Sequence, residues 1–304
     1  MNRPQIKPAI SWVFNSRNAE TQEKLLIDHP VYLAECASTK MISNNTLEVS
    51  FYISSDQGFD FNAGQYLALY FPKAEAAISQ ASKNNTPALY ELPCFDNSTL
   101  LRRSYSIVSS PQEFDKTGKV SIAISLIDGG CGSTFFKTIK PGDLVFALGP
   151  FGNLNLDLSI RFERIFLLGT GTGIAPYLSM QEEIKGLWDK SVDIVAGFRS
   201  KTQAIYLDQL SSLNQYDHVT TEICFSREKL PTYHYGYIQH LLPLLMLNPK
   251  KDCFYLCGNP RMIDAVKNQL INEGFCLNKN LFEESYTFSG HLDDDYPFSI
   301  SHLL

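Results

Sequence analysis

No stretch of the sequence approaches the ~18–20 consecutive apolar residues that a membrane-crossing helix requires. The longest candidate, Leu241–Leu247, is short and contains Pro243. The first thirty residues mix Arg, Glu, Lys and Asp and have no apolar core of the kind a secretory leader carries. These absences predict a chain that is soluble, not exported and cytoplasmic. Positive charge is also scarce: 26 Lys and Arg stand against 32 Asp and Glu, a net charge of −6. General nucleic-acid binders are ordinarily basic, so that class is disfavoured. The seven cysteines are odd in number and scattered, which argues against a disulfide framework and for reduced thiols. Cys253 and Cys257 form the closest pair, with no second pair to complete a metal site. The C-x4-C-x2-C run of a plant-type iron–sulfur cluster is missing, as are H-E-x-x-H and any Cys/His cluster, so no metal is expected.

The sequence does contain 304 residues, 44% of them hydrophobic and 19% charged. That is enough for a sizeable core in one large or two ordinary domains, and it excludes wholesale disorder. Residues 1–30 are polar and weakly patterned and read as an extension. From Val31 the segments Thr46–Ser54, Gln65–Phe71 and Val120–Ile127 are short, β-rich and punctuated by Gly, Asn and Asp, which predicts an antiparallel unit over 31–157. A long interruption, about Lys73 to Leu100, has the length of a functional or mobile loop.

Past a boundary at Gly152–Leu158 the pattern changes. Strands at Arg164–Leu168, Val192–Phe198, Val219–Phe225 and Cys253–Cys257 alternate with helical stretches at Ala175–Leu187, Gln203–Leu213, Tyr237–Leu247 and Arg261–Gly274. That alternation predicts a parallel sheet covered on both faces over 158–304.

The run Gly169-Thr170-Gly171-Thr172-Gly173-Ile174-Ala175-Pro176 follows an apolar strand and opens a helix. Alternating glycines let backbone N–H groups approach an anion, and a helix start favours negative charge. Pro176 suits a first helical turn. No Gly-Lys-Ser/Thr follows, so this is not a P-loop, and the glycine spacing is not G-x-G-x-x-G. A plain glycine-rich turn would look similar, but open α/β sheets bind ligands at this place. The next two strands end in Arg199-Ser200-Lys201 and Ser226-Arg227-Glu228-Lys229. Cations there suit a ribose 2′-phosphate and favour NADPH over NADH, with solvated surface charge as the alternative.

In the first half, strand alternation through Arg102-Arg103-Ser104-Tyr105-Ser106-Ile107 puts Arg103, Tyr105 and Ile107 on one face and Ser104 and Ser106 on the other. On spacing alone this is an edge strand with a packed aromatic. Asp128-Gly129-Gly130-Cys131-Gly132-Ser133-Thr134 then reads as a glycine turn into a helix, with Ser133 as N-cap and a second potential phosphate site.

Taken in order, these segments resemble the motifs of the ferredoxin–NADP⁺ reductase superfamily. Arg103-Ser104-Tyr105-Ser106 resembles its R-x-Y-S/T flavin motif, and Gly130-Cys131-Gly132-Ser133 its G-x-x-S/T pyrophosphate motif. Gly169 to Pro176 is similar to its glycine loop, and Cys257-Gly258-Asn259-Pro260 to its C-G-x-P nicotinamide segment. Phe61-Asn62-Ala63-Gly64-Gln65-Tyr66 resembles the turn before the third barrel strand. Ser226-Arg227-Glu228 followed by Tyr237-Ile238-Gln239 resembles segments for the 2′-phosphate and adenine, and Glu284-Ser285-Tyr286 resembles a terminal E-x-Y, although eighteen residues follow Tyr286. Glu283 is a competing candidate for the acid.

The resemblance implies an antiparallel FAD-binding β-barrel followed by a parallel-sheet, Rossmann-like NADP(H)-binding domain. It implies a monomeric FAD enzyme that moves electrons between NADPH and a separate ferredoxin or flavodoxin. Ser106, Cys257, Glu284 and Tyr286 would serve catalysis. Arg103, Ser104, Tyr105, Gly130, Cys131, Gly132, Ser133 and Thr134 would hold FAD. Gly169, Thr170, Gly171, Thr172, Gly173, Arg199, Ser226, Arg227, Tyr237, Gly258, Asn259 and Pro260 would hold NADP(H). The alternatives are a reductase component of an oxygenase, a cytochrome-b5-reductase-like enzyme, or a non-catalytic flavin- and nucleotide-binding subunit.

Overall fold

A computed structural model of the chain describes residues 31–54, 58–72, 100–157 and 161–286. The expected N-terminal extension, nearly all of the long loop and the acidic tail beyond Tyr286 lie outside the described residues. Six strands form the first half: β1 (Val31–Ser43), β2 (Thr46–Ser54), β3 (Tyr66–Pro72), β4 (Leu100–Ser106), β5 (Lys119–Ser125) and β6 (Leu144–Phe151). They pair antiparallel in the order β4-β3-β6-β1-β2-β5. Period-two burial drives this: Tyr32, Ala34 and Cys36 are buried while Glu35 is exposed. The two edge strands are brought together by a bridge between Ile107 and Ile122, which closes the sheet into a barrel around Phe51, Leu69, Phe71 and Ile122. Helices α1 (Pro111–Thr117) and α2 (Cys131–Thr138) flank it. Ser110 caps α1 through the Glu113 N–H, and Gly118, at φ 66°, ends it.

The second half is a wholly parallel sheet of β7 (Arg164–Thr170), β8 (Ser191–Phe198), β9 (Val219–Phe225), β10 (His234–Tyr235), β11 (Asp252–Gly258) and β12 (Leu281–Ser285), in the order β10-β9-β8-β7-β11-β12. Helices α3 (Ala175–Ser179), α4 (Gln181–Gly186), α5 (Leu207–Leu213) and α6 (Pro260–Asn272) complete it. Both faces are covered, as near-continuous apolar strands require. Ile165 and Leu167 of β7 join one core with Tyr177, Met180 and Leu210, whereas Phe166 and Leu168 join another with Phe254, Val266 and Leu270. Strand order reverses between β7 and β11, so a crevice opens at their carboxyl ends. None of the described helices is long and apolar enough to cross a membrane.

Three predicted helices are broken. Ala175–Leu187 is two short helices separated at Met180, and the hydroxyl of Ser179 beside the break donates to the Ser109 carbonyl of the first half at 2.9 Å. Gln203–Leu213 begins as a 3-10 turn at Lys201–Gln203 and becomes helical only at Leu207, because Tyr206 adopts φ 55°. From there the Tyr206 hydroxyl donates to Glu48 of β2 at 2.6 Å. Tyr237–Leu247 holds only two 3-10 turns, Ile238–His240 and Leu242–Leu244; Pro243 supplies no N–H to extend a helix.

At the end of the sheet remote from the crevice, Arg164 donates to both carboxylate oxygens of Asp252 at 3.2 and 2.8 Å, and Asp252 also accepts the Asn248 N–H at 2.7 Å. The Asp252 side chain is only 3% exposed. Asp252→Ala strands these donors and is predicted to cost about 3 kcal/mol, read as a lower urea midpoint, with cofactor binding at the opposite strand ends retained.

Candidate functional site

The end of β4 and the end of β12 meet at the junction of the two sheets. Ser106 is 4% exposed, and its hydroxyl lies 3.0 Å from that of Tyr286. The Tyr286 hydroxyl also lies 3.0 Å from the Thr172 carbonyl, which can only accept. Tyr286 therefore donates to Thr172, and Ser106 donates to Tyr286. The Tyr286 N–H is held by the Gly258 carbonyl at 3.0 Å. The wholly buried Cys257 thiol hydrogen-bonds with the Tyr286 hydroxyl. Burial, and then the nearby Glu284, push the Cys257 pKa well up, so the thiol stays protonated near neutrality and is no thiolate nucleophile.

Strand parity decides between the two glutamates. In the β11–β12 register Cys257 stands opposite Glu284, and Leu256 opposite Glu283. Glu283 turns to the other face and pairs with Lys267 of α6 at 2.8 Å. Glu284 faces the junction, where burial raises its pKa to about 7. A Cβ placed on Gly152 would lie 2.9 Å from the Glu284 carboxylate and 3.0 Å from the Tyr66 ring. Tyr66 and Gly152 thus wall the acid; the sequence placed Tyr66 in the motif before the third barrel strand and Gly152 at the domain boundary, and marked neither as a site residue.

On the barrel side, β4 and α2 bring the first two motifs together. A Cβ on Gly132 would lie 3.4 Å from the Tyr105 hydroxyl and 3.9 Å from the Arg103 side chain. Tyr105 packs edge-on against Phe136 with ring centroids 5.4 Å apart. Arg103 donates to the Arg102 carbonyl at 2.8 Å, while Ser104 is exposed. Ser133 is not the N-cap. Gly130 occupies that place without a side-chain bond, and the Ser133 hydroxyl instead accepts the Ile127 N–H at 2.7 Å, fixing the turn before the helix. The first-turn N–H groups at Cys131 and Gly132 therefore have no capping side chain, which suits an anion such as a pyrophosphate. Thr134 closes the turn by donating its hydroxyl to the Gly130 carbonyl at 3.1 Å.

On the sheet side the glycine loop and the Cys257–Pro260 segment interlock. A Cβ at Gly173 would collide with the Cys257 carbonyl and lie 2.6 Å from the Gly258 Cα, so this position demands glycine. Gly258 has φ 126° and packs on Thr170. The Thr170 hydroxyl accepts the Asn259 N–H at 3.0 Å; Asn259 in turn caps α6 through the Arg261 N–H at 2.9 Å, and Pro260 occupies its first turn. Gly169, next to last in β7, packs against Tyr177, and Gly171 takes φ 56° at the half-buried lip. Farther along the strand ends, Ser226 and Arg227 hydrogen-bond by backbone to Phe198 and Arg199, both at 2.9 Å, which brings the two cationic ends side by side. Tyr237 lies beyond them, 57% exposed.

These groups fit a flat ring system with a pyrophosphate on the barrel and a second dinucleotide over the crevice. A raised carboxyl pKa has a consequence for stability. Between its ordinary value of 4.5 and about 7, the folded Glu284 holds a proton that the unfolded chain has lost, so stability falls as pH rises through that window. Glu284→Gln removes the titration. The variant should gain stability over the native chain at pH 8 and lose that advantage at pH 4.5, measured by urea unfolding; an equal difference at both pH values contradicts the assignment.

The profile described as "Oxidoreductase FAD-binding domain" matches residues 89–156, and "Oxidoreductase NAD-binding domain" matches residues 167–268. The chain is 26% identical over 272 residues to ferredoxin–NADP reductase B of Sorangium cellulosum (strain So ce56), covering 86% of this chain and 100% of that relative. It is 25% identical over 261 residues to the toluate 1,2-dioxygenase electron transfer component of Pseudomonas putida, covering 85% and 68%. The crystal structure of a ferredoxin NADP+ reductase from Neisseria gonorrhoeae with bound FAD and NADP superposes with a TM-score of 0.67 at 22% identity, covering 84% of this chain and 98% of that one, a likeness of fold. With each sheet carrying its own matched domain, together more than half of the chain, and a relative matched from end to end, the chain belongs to the ferredoxin–NADP⁺ reductase superfamily of FAD- and NAD(P)-binding oxidoreductases.

Proposed function

We propose that this flavoenzyme oxidises NADPH and reduces a separate one-electron carrier, ferredoxin or flavodoxin. The observation that carries the reading is the convergence of Ser106, Cys257, Glu284 and Tyr286 where the barrel meets the glycine loop. FAD, when bound, supplies the change from two-electron to one-electron chemistry. The chain's own residues bind and orient. Arg103 and the α2 start with Gly130, Cys131, Gly132, Ser133 and Thr134 neutralise and hold the pyrophosphate, and Tyr105 offers its ring to the flavin. Ser106, whose single proton goes to Tyr286 in the structure, would give up that contact to present a hydroxyl donor at the flavin's reactive edge. Gly169–Gly173 and Gly258–Pro260 shape the nicotinamide crevice, Cys257 sets its depth with an uncharged thiol, and Tyr286 closes it. Arg199, Ser226 and Arg227 receive the 2′-phosphate, and Tyr237 receives the adenine. Glu284, titrating at about 7, stores a proton beside the crevice at working pH.

Similarity to the Sorangium reductase supports ferredoxin as acceptor. Similarity to the Pseudomonas component supports a second reading, a reductase serving an oxygenase, for which NADH preference would be the signature. Acidic carriers dock on basic faces. Although the chain is net −6, Lys137 in the last turn of α2 and Lys140 just beyond it are exposed on the flavin side.

The direct test is the visible spectrum. Purified protein should absorb near ~450 nm, bleach with NADPH, and recover colour when oxidised ferredoxin or flavodoxin is added. A protein that neither NADPH nor NADH bleaches defeats the enzyme assignment, and bleaching mainly by NADH with recovery only on adding an oxygenase component selects the second reading. Ser106→Val should retain FAD and slow hydride transfer by about 10- to 100-fold in stopped-flow measurements. Replacing Arg199 and Arg227 together by Ala should lower the NADPH/NADH preference by about 100-fold, because each charged hydrogen bond is worth roughly tenfold.

A further inference from the structure

Three cations cluster at the adenine end of the crevice: Arg199, Lys201 and Arg227 are exposed, and none makes a side-chain hydrogen bond or ion pair among the described residues. A carboxylate stands among them. Glu228, half-buried, follows Arg227 directly and has three cations of opposite charge around it. It pairs with none of their side chains. The Glu228 carboxylate accepts the backbone N–H of Lys201 at 2.7 Å. That N–H opens the 3-10 turn Lys201–Gln203, whose N-cap residue, Ser200, supplies no side-chain cap. Glu228 therefore caps the turn from the neighbouring strand end.

The same turn is held from its other side by the barrel. The Asn44 N–H, in the β1–β2 turn, donates to the Thr202 carbonyl at 3.1 Å, and its side-chain amide donates to the Thr202 hydroxyl at 3.4 Å. The Ser200 and Thr202 hydroxyls lie 3.1 Å apart. The segment from Arg199 to Gln203 is thus pinned between β9's extension and the barrel, while its cationic side chains stay uncommitted.

We propose that Glu228 is a positioning residue for coenzyme selection. It spends its carboxylate on the Lys201 backbone, fixes the turn that presents Arg199 and Lys201 beside Arg227, and leaves all three cations available to a ribose 2′-phosphate. The inference rests on the NADPH reading above and extends it to a residue of opposite charge. Its geometry and its charge act in opposite directions. The cap organises the cations, whereas the negative charge opposes a phosphate dianion at close range. Two substitutions separate them. Glu228→Gln keeps a carbonyl acceptor for the Lys201 N–H and removes the charge; Glu228→Ala removes both.

The experiment is calorimetric titration of the FAD-loaded full chain with adenosine 2′,5′-bisphosphate and, in parallel, adenosine 5′-monophosphate. Glu228→Ala should weaken the bisphosphate by about fivefold, the usual effect of a lost cap, and leave the monophosphate unchanged. Glu228→Gln should bind the bisphosphate at least as tightly as the native chain. The ratio of kcat/KM for NADPH to that for NADH should follow the same order, with the Ala variant's loss appearing in KM. Equal behaviour of the two variants overturns the proposal: tighter binding in both makes Glu228 a repulsive charge only, and unchanged binding in both gives it no role. Equal weakening of both ligands by the Ala variant also overturns it, as general loosening. The Arg199/Arg227 double Ala variant distinguishes this failure from failure of the underlying reading. If that variant binds the bisphosphate normally, the 2′-phosphate site itself is misplaced; if it binds weakly while Glu228→Ala does not, only the role of Glu228 falls.

Discussion

The Tyr286 hydroxyl is shared between Ser106 of the barrel and Thr172 of the glycine loop, and the site is arranged around that contact. A hydroxyl has a single proton to give, so the direction of the chain is fixed: serine to tyrosine to carbonyl. This polarity commits the Ser106 proton to Tyr286 and keeps the Thr172 carbonyl occupied. It also ties residues some 180 positions apart in sequence into one small polar group within apolar surroundings. Cys257 and Glu284 lie against that group, and both are held toward their neutral forms by the same desolvation.

Other links between the halves are polar as well. Ser179 reaches Ser109, Tyr206 reaches Glu48, and Asn44 reaches Thr202. Each comes from a place where regular structure is interrupted: the break at Met180, the left-handed Tyr206, and the 3-10 turn after Ser200. Local propensity yields there to contacts with the barrel, which explains why helical periodicity overran the real helices.

Much of the architecture was legible in residue patterns. Thr46–Ser54 and Val219–Phe225 have the bounds expected of them, because strand-favouring residues end at turn formers on both sides. Arg261–Gly274 lies within a residue or two of α6, since its apolar spacing is regular and Asn259 caps it. The glycine loop was legible because Gly169 and Gly173 answer to close main-chain contacts and Gly171 to a φ of 56°. The choice between Glu283 and Glu284 was not: adjacent acids differ only in strand parity, and parity depends on the β11–β12 register. Ser133 misled for a related reason. Its hydroxyl does satisfy a backbone donor, but one in the preceding turn and not in its own helix.

The contact at Gly173 has a consequence for how such a site can change over time. What would obstruct a side chain there is the peptide backbone of Cys257 and Gly258. Shrinking the surrounding residues gives no relief, so compensating mutations have nothing to act on. The position is a dead end for drift, whereas the exposed Arg199 and Arg227 side chains at the strand ends make no side-chain hydrogen bond among the described residues and can be exchanged without disturbing main chain.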